Sequence, residues 1–135
     1  MNRRIVVDTN LIVRYLVRDN QKHASAAGRL FKACDRGELT IVVLPVVLAE
    51  CVFVFESFYG HSRQAIASAL TTLISSPGVE IVAPGIHLDA LERYRRTRAH
   101  FVDCLIAATA SAGDIPVASF DLDFRKFPDV RLEFQ

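Results

Sequence analysis

The sequence predicts an α/β fold with a central parallel sheet of four to five strands flanked by helices. Short runs of branched apolar residues, which are typical of buried strands, alternate with longer segments whose apolar residues recur at helical spacing. Strands that alternate with helices along a chain form parallel sheets. The chain has 135 residues, 51% of them hydrophobic, which suits one compact core. We therefore expect a single domain over residues 1–135.

The amino-terminal part begins with one strand and two helices. Ile5–Val7 is a run of branched apolar residues and predicts a buried strand. Apolar residues at helical spacing then predict a helix over 11–17, capped by Thr9 or Asn10, and a second helix over 21–36. This order of elements is the beginning of a crossover between two parallel strands.

The middle of the chain repeats this order. Residues 39–44 are all apolar or β-branched and predict a second buried strand. The next segment, 46–58, is an almost wholly apolar helix, and 61–74 is an amphipathic helix with Ser62 as its cap. A short strand is predicted over 79–82, after a turn at Ser-Pro-Gly.

The carboxyl-terminal part adds two helices and two strands. Helical spacing predicts a helix over 86–97, and an Ala-rich apolar segment predicts another over 103–112. A strand is expected over 115–119 and an edge strand over 130–134. With the strands above, these segments complete the predicted sheet.

Four acids lie in or beside apolar sequence, where carboxylates are normally absent. They are Asp8, Glu50, Asp103 and Asp121. Asp8 and Asp121 follow predicted strands, and Asp103 opens the helix that leads into the strand before Asp121. Because the carboxyl ends of parallel strands meet at one edge of a sheet, we expect these three aspartates to meet there.

Each acid also has a simpler interpretation. Asp8 and Asp103 suit helix caps, and Asp121 suits the start of a turn. Glu50 lies in the middle of an apolar helix, so capping does not explain it; a buried ion pair with Arg14 is the alternative. The joint pattern carries more weight than any one of its members.

Clustered carboxylates require cations. Two unit charges about 4 Å apart interact by about 4 kcal/mol at an effective dielectric of 20. Oxygen ligands without histidine or thiolate favour Mg²⁺ or Mn²⁺. Such ions commonly act on phosphates, where they neutralise developing charge and activate water. The acids therefore predict a metal-dependent phosphate chemistry.

The chain resembles the PIN-domain ribonucleases, and in particular the VapC-type toxins of toxin–antitoxin pairs. The resemblance covers nearly the whole chain and depends on four short motifs. They are Val7-Asp8-Thr9-Asn10, Glu50 in its apolar helix, Asp103 before Leu105-Ile106-Ala107-Ala108, and Val117-Ala118-Ser119-Phe120-Asp121 with Asp123-Phe124 behind it. The resemblance implies a Rossmann-like domain that binds Mg²⁺ or Mn²⁺ and hydrolyses RNA, a homodimer, and a cognate antitoxin whose tail enters the active-site groove.

By position, the resemblance assigns the catalytic quartet to Asp8, Glu50, Asp103 and Asp121. We expect the three aspartates to bind metal, and Glu50 to bind metal or to orient the attacking water. The supporting polar positions are Thr9 or Asn10 and Ser119. Asp123 is an extra acid, for which a solvated turn is an equal alternative.

Basic side chains are then expected to guide the RNA, although the formal net charge is only +1. The candidates are Arg14 and Arg18 on the first helix, the cluster of Arg95, Arg96 and Arg98, and Arg125 with Lys126 after the last acids. A solvated helix end is the alternative for the cluster. The helix over 46–58 has more large apolar residues than one inward face requires, so part of it is either extra core or a dimer or antitoxin surface.

Two other function classes fit parts of the pattern. One is a catalytically silent PIN-like module that binds RNA or protein; the other is a different magnesium-dependent phosphotransfer enzyme. A housekeeping RNA-processing nuclease is the alternative to a toxin. The three cysteines, Cys34, Cys51 and Cys104, are far apart in apolar surroundings and predict reduced core thiols in a cytoplasmic protein. Neither a signal peptide nor a membrane segment is predicted.

Overall fold

The structure, a computed structural model, describes residues 3–134. Its strands are β1 (Arg3–Val6), β2 (Leu39–Val42) and β3 (Val79–Glu80). Its α-helices are α1 (Thr9–Val17), α2 (Gln21–Asp35), α3 (Pro45–Ser57), α4 (Arg63–Ser75), α5 (Pro84–Arg96) and α6 (Phe101–Gly113), and a 3-10 helix covers Leu122–Lys126. Two compact units divide the chain: unit 1 is Met1–Val82 and unit 2 is Ala83–Gln135.

Unit 1 contains a parallel sheet in the order β1-β2-β3. Ile5 lies opposite Ile41, and Ile41 lies opposite Val79 on the other side of the central strand. The helices α2 and α4 contact β2 and β3, and α1 contacts α3. Ile41 is completely buried, as expected for the middle of a sheet covered by helices. The α/β fold with a parallel sheet flanked by helices is therefore confirmed.

The predicted number of strands was wrong. Among residues 3–134 the sheet has three strands rather than four to five. The segments predicted as strands at 115–119 and 130–134 form one isolated bridge, between Val117 and Leu132. The Val117 N–H donates to the Arg131 carbonyl at 2.8 Å and the Glu133 N–H donates to the Val117 carbonyl at 2.9 Å, and within residues 3–134 the pairing of these segments stops at this bridge.

The six predicted helices are present, with corrections at two starts. Asp8, rather than Thr9 or Asn10, caps α1, and its Oδ1 accepts from the Leu11 N–H at 2.9 Å. Helix α6 begins at Phe101, so Asp103 lies in its first turn and does not cap it. Ser62 is confirmed as the cap of α4, because its hydroxyl accepts from the Ala65 N–H at 3.1 Å.

Unit 2 is built on the contact between α5 and α6. Tyr94 of α5 is fully buried and packs edge to face on Phe101 of α6, with ring centroids 6.1 Å apart. The cysteines of both units are buried thiols rather than disulfides, as predicted. No helix within residues 3–134 has the length and apolarity needed to cross a bilayer.

A buried arginine on α5, Arg93, binds residues of the carboxyl-terminal segment that follows α6. The Arg93 side chain is 8% exposed. It donates from Nη1 to Asp129 at 2.9 Å and from Nε to Asp89 at 3.1 Å, and its guanidinium lies 5.6 Å from the centre of the Phe127 ring. The Ser111 hydroxyl donates to Asp129 at 2.9 Å. These charge-assisted bonds satisfy a cation that burial would otherwise penalise.

Candidate active site

Unit 1 has an open cavity of about 480 Å³ between α1 and α3. Helix α1 contributes four residues from two consecutive turns, Thr9, Asn10, Val13 and Arg14. Helix α3 contributes one face at spacings of three and four residues, Val47, Glu50, Val54 and Phe58. Asp8 and Tyr59 complete the lining. Its size is within the range of small-ligand sites, about 300–1,000 Å³.

Asp8 reaches this cavity because it follows β1 and precedes α1. Its Oδ1 is held by the Leu11 N–H, which fixes the carboxylate at the positive end of the helix dipole. The residue is exposed, so its other oxygen remains available to a ligand. The simple interpretation of Asp8 as a cap is therefore correct, and it does not conflict with ligand binding.

Glu50 lines the same cavity from α3 and is exposed. The alternative of a buried ion pair with Arg14 is wrong, since Arg14 Nη1 instead donates to Asp19 at 2.9 Å. The pKa of the nearby Cys51 thiol is raised to about 12, first by burial and then by the negative charges of Glu50 and Asp8. Asp8 and Glu50 therefore create one region of negative potential.

This pair of carboxylates fits a hard divalent cation. Mg²⁺ is usually held by one or two carboxylates, with waters and substrate phosphates filling its remaining positions. Among residues 3–134, no group of three or more His, Cys, Asp or Glu side chains is placed to hold a metal ion. The fit to a metal consequently depends on Asp8 and Glu50 as a pair; Thr9, which is buried, and Asn10, which is exposed, also line the cavity.

A second group of acids lies in unit 2. Asp103 in the first turn of α6 has its pKa raised by partial burial, then by the negative charge of Asp121; His100 opposes this, and Asp123 adds to it. The structure thus brings Asp103, Asp121 and Asp123 near one another. The convergence of this group with Asp8 and Glu50 remains a prediction.

Asp121 is held by a local turn. Its carboxylate accepts from the Asp123 N–H at 2.8 Å and caps the 3-10 helix, which confirms the turn interpretation. The Ser119 hydroxyl accepts from the Asp121 N–H at 3.0 Å, so Ser119 positions the backbone of this acid. Asp123 also forms an ion pair with Lys126 at 3.7 Å. Apolar sequence context did not bury these acids, because Asp121 and Asp123 are exposed.

The predicted RNA-binding arginines fall in both units. Arg14 lines the cavity in unit 1, where Asp19 holds it. In unit 2, Arg95 and Arg96 at the end of α5 share one carboxylate, that of Glu92, and Arg98 is exposed beyond them. This cluster therefore has the ion pairs typical of a solvated helix end, and its contact with RNA remains a prediction.

Two aromatic residues of the cavity were not predicted as site residues. Phe58 and Tyr59 lie at the end of α3, and the Tyr59 hydroxyl donates to Asp19 at 3.1 Å. The signal was present in the sequence, since Glu50, Val54 and Phe58 are four residues apart and so share one helix face. Phe58 and Phe53 are exposed, so the interpretation of α3 as core alone is wrong.

Comparison with known proteins gives a family. The family model for the PIN domain matches residues 5–130. No curated protein matches the sequence. Among solved structures, VapBC2 from Rickettsia felis, bound to a DNA fragment from its promoter, is 18% identical with a TM-score of 0.39, and the alignment covers 96% of this chain and 97% of that chain. PIN domains are generally nucleases and generally use divalent metal ions. Because the family match extends over almost all of its residues, the chain belongs to the PIN domain family.

Proposed function

We propose that this protein is an Mg²⁺- or Mn²⁺-dependent endoribonuclease that hydrolyses RNA phosphodiester bonds. The observation that supports this most is the pair of exposed carboxylates, Asp8 and Glu50, in one cavity of a PIN domain. Asp103 and Asp121 complete the proposed catalytic set, and each belongs to a motif of the resemblance. The buried cysteines are thiols rather than disulfides, which suits a reducing compartment such as the cytoplasm.

The chain's own residues have distinct roles in this proposal. The Leu11 N–H holds one carboxylate oxygen of Asp8, so the orientation of this side chain is set before substrate arrives, and its other oxygen would be the one to hold the metal. Glu50 either shares the ion or accepts a hydrogen bond from the attacking water and orients it. The metal, when bound, neutralises charge on the phosphate and lowers the pKa of water. Asp103 and Asp121 serve the same hydrolysis as further ligands, and Thr9, Asn10, Ser119 and Asp123 support these acids.

The experiment is RNA cleavage in Mg²⁺ or Mn²⁺ compared with EDTA. Asp8→Asn and Glu50→Gln keep size and shape but remove the negative charges that bind the cation, so each should reduce cleavage at least about 100-fold, or about 3 kcal/mol in the barrier. Glu56→Gln is the matched control for Glu50, because Glu56 lies on the same helix outside the cavity.

Three results would reject the proposal: full cleavage in EDTA, full cleavage by both variants, or equal loss in the Glu56→Gln control. A small phosphoester assay separates the proposed nuclease from another phosphotransfer enzyme, which alone should turn over such substrates. Activity of Asp103→Asn and Asp121→Asn tests the contribution of unit 2 in the same way.

We further propose that the nuclease is the toxin of a toxin–antitoxin pair, acts as a homodimer and is inhibited by a cognate antitoxin. The sequence motifs around Asp8, Glu50, Asp103 and Asp121 support this interpretation. A small antitoxin gene directly upstream, whose product co-purifies with this chain and stops its cleavage of RNA, is the expected finding. Cleavage that is unaffected by any such neighbour would favour a housekeeping nuclease.

A further inference from the structure

An exposed aromatic ring lies in the cavity that holds Asp8 and Glu50. Phe58 is 80% exposed, although an apolar ring of that size normally avoids water. It lies two helical turns beyond Glu50 on the same face of α3, with Val54 between them. The buried residues of the helix end at Phe55 and do not include Phe58, so the packing of unit 1 leaves this ring uncovered.

The side chains next to Phe58 are held in place. Tyr59 donates its hydroxyl to one oxygen of Asp19 at 3.1 Å, and Arg14 donates to the other oxygen at 2.9 Å. The Tyr59 ring also stacks on His61, with centroids 5.8 Å apart and an angle of 16° between the planes. Tyr59 is therefore fixed from two sides, which lowers the entropy lost when a ligand binds beside it.

Phe58 itself presents free surface. Within the described part of the chain, Tyr59 is the one ring that packs against it, with centroids 5.1 Å apart and a steep angle of 68°. An edge-to-face contact of this kind, combined with the high exposure, leaves ring surface on which a flat partner can stack.

The geometry points to a base-stacking subsite: we propose that Phe58 holds an unpaired base of single-stranded RNA, next to the phosphate that is cut at Asp8 and Glu50. This inference rests on the proposed nuclease function and specifies its substrate class. A nucleotide joins a flat aromatic base to an anionic phosphate, and the cavity has an exposed ring at one end and cation-binding carboxylates along the same helix face. Bases within a duplex are already stacked, so the subsite selects unpaired RNA.

The cavity wall favours RNA over a protein partner. Apolar positions alternate there with Asn10, Arg14 and Glu50, whereas the centre of a protein interface is depleted in charge. The exposed apolar residue that would suit a protein contact better is Phe53, which is 67% exposed on the same helix but outside the cavity.

The experiment uses Phe58→Trp as a reporter. The chain has no tryptophan, so this variant contains a single indole, whose fluorescence a stacked base quenches. The variant is titrated in EDTA, where the proposed nuclease is silent, with a mixed-sequence single-stranded RNA, the same RNA as a duplex, and an abasic ribose-phosphate oligomer. We expect saturable quenching by single-stranded RNA and at least about tenfold weaker binding of the other two probes.

Phe58→Leu in the otherwise native chain tests the ring itself. Because base–aromatic stacking is lost while an apolar side chain remains, affinity for single-stranded RNA should fall about tenfold. Phe53→Leu is the matched control and should bind as the native protein does. Unchanged affinity in Phe58→Leu would assign the exposed ring to a protein contact and overturn the proposal, as would equal quenching by the abasic oligomer.

The two proposals can fail separately. If the native protein cleaves RNA with metal but Phe58→Trp shows no quenching and Phe58→Leu binds normally, the stacking subsite is rejected and the nuclease stands. If quenching by single-stranded RNA is seen but the native protein never cleaves RNA in Mg²⁺ or Mn²⁺, the nuclease is rejected and the subsite stands as an RNA-binding feature.

Discussion

Unit 2 contains two groups of aspartates that face opposite surroundings. Asp89 and Asp129 surround the buried guanidinium of Arg93, whose hydrogen bond holds the pKa of Asp129 well below its ordinary value. Burial raises the pKa of Asp103 most; the negative charges of Asp121 and Asp123 add to this, and His100 and Lys126 oppose it. The first group stabilises the fold, whereas ionisation of Asp103 works against it.

This difference distinguishes Asp103 from the acids that pair with Arg93, which sequence context does not do. An acid that costs stability at neutral pH has no structural explanation for its charge, so a ligand or a reaction is the natural explanation. The Arg93 group meets the opposite criterion, because its charges compensate one another. Substitutions in the two groups should therefore change stability in opposite directions.

Replacing Arg93 with methionine should cause the greatest loss. The change keeps an apolar stem but leaves Asp89 and Asp129 without their cation. Breaking a buried pair costs about 3–5 kcal/mol, but the Asp129 carboxylate is 48% exposed and water replaces part of the interaction. We therefore expect the free energy of unfolding, measured in urea, to fall by about 2 kcal/mol.

Arg95→Met is the matched control on the same helix. Arg95 is 45% exposed and pairs with Glu92 at the surface, where water screens the two charges, so its replacement should leave the urea midpoint almost unchanged. Equal losses of stability in the two variants would show that burial of Arg93 does not increase its contribution to stability. The Arg93 group could then no longer be contrasted with Asp103 as a stabilising group.

The next largest expected effect is the dependence on pH of the stability that Asp129 contributes. Because the folded state lowers the pKa of Asp129, the ionised carboxylate stabilises the fold above the ordinary value of 3.8, and this contribution is lost as the pH falls through the lower folded value. Asp129→Asn should therefore be less stable than the native protein at pH 7, and the difference should shrink from about pH 4 downward. Urea midpoints at pH 7, 4 and 2.5 measure it; a difference that is independent of pH would mean that the asparagine simply disturbs packing.

Local sequence predicted most of this architecture because the helices depend on signals within a few residues. Ser62 caps α4 as expected, and the β-branched run at 39–44 contains β2. The strand at 115–119 could not be judged locally, since a strand also needs a partner along its length, and within residues 3–134 this segment pairs at one bridge, from Val117 to Leu132. The start of α6 was misplaced for a related reason: the charge of Asp103 suggested a cap, but the helix extends two residues further, to Phe101.

The site was only partly accessible to the same reasoning. Spacing along α3 places Glu50 and Phe58 on one face, but only the fold shows that this face and α1 line one cavity. Chain order also could not show that Arg14 is held by Asp19, because the two charges come together only through the turn between α1 and α2. Motif resemblance supplied the quartet, and its geometry as one group is still to be tested.

Asp103→Asn should have the smallest effect and the opposite sign. The raised pKa means that the folded state prefers the neutral acid, so stability falls as the pH rises above 3.8 through the folded value and stays lower at neutral pH. Asparagine removes this repulsion, and the gain at pH 7 should be under about 1 kcal/mol because water screens a partly exposed charge. Thermal unfolding should show a slightly higher Tm than that of the native protein, and the difference should vanish below about pH 3.

The effect of added Mg²⁺ on thermal stability tests whether Asp103 binds the ion. If Asp103 binds the ion, as proposed, saturating Mg²⁺ stabilises the native protein through linkage and stabilises Asp103→Asn less. The Tm advantage of Asp103→Asn over the native protein should therefore shrink or reverse. Asp129→Asn serves as the control, since its carboxylate is already engaged by Arg93 and the Mg²⁺ response should equal the native one. An Asp103→Asn variant that is less stable than the native protein at every pH, with an unchanged response to Mg²⁺, would place Asp103 among the structural acids and remove the contrast.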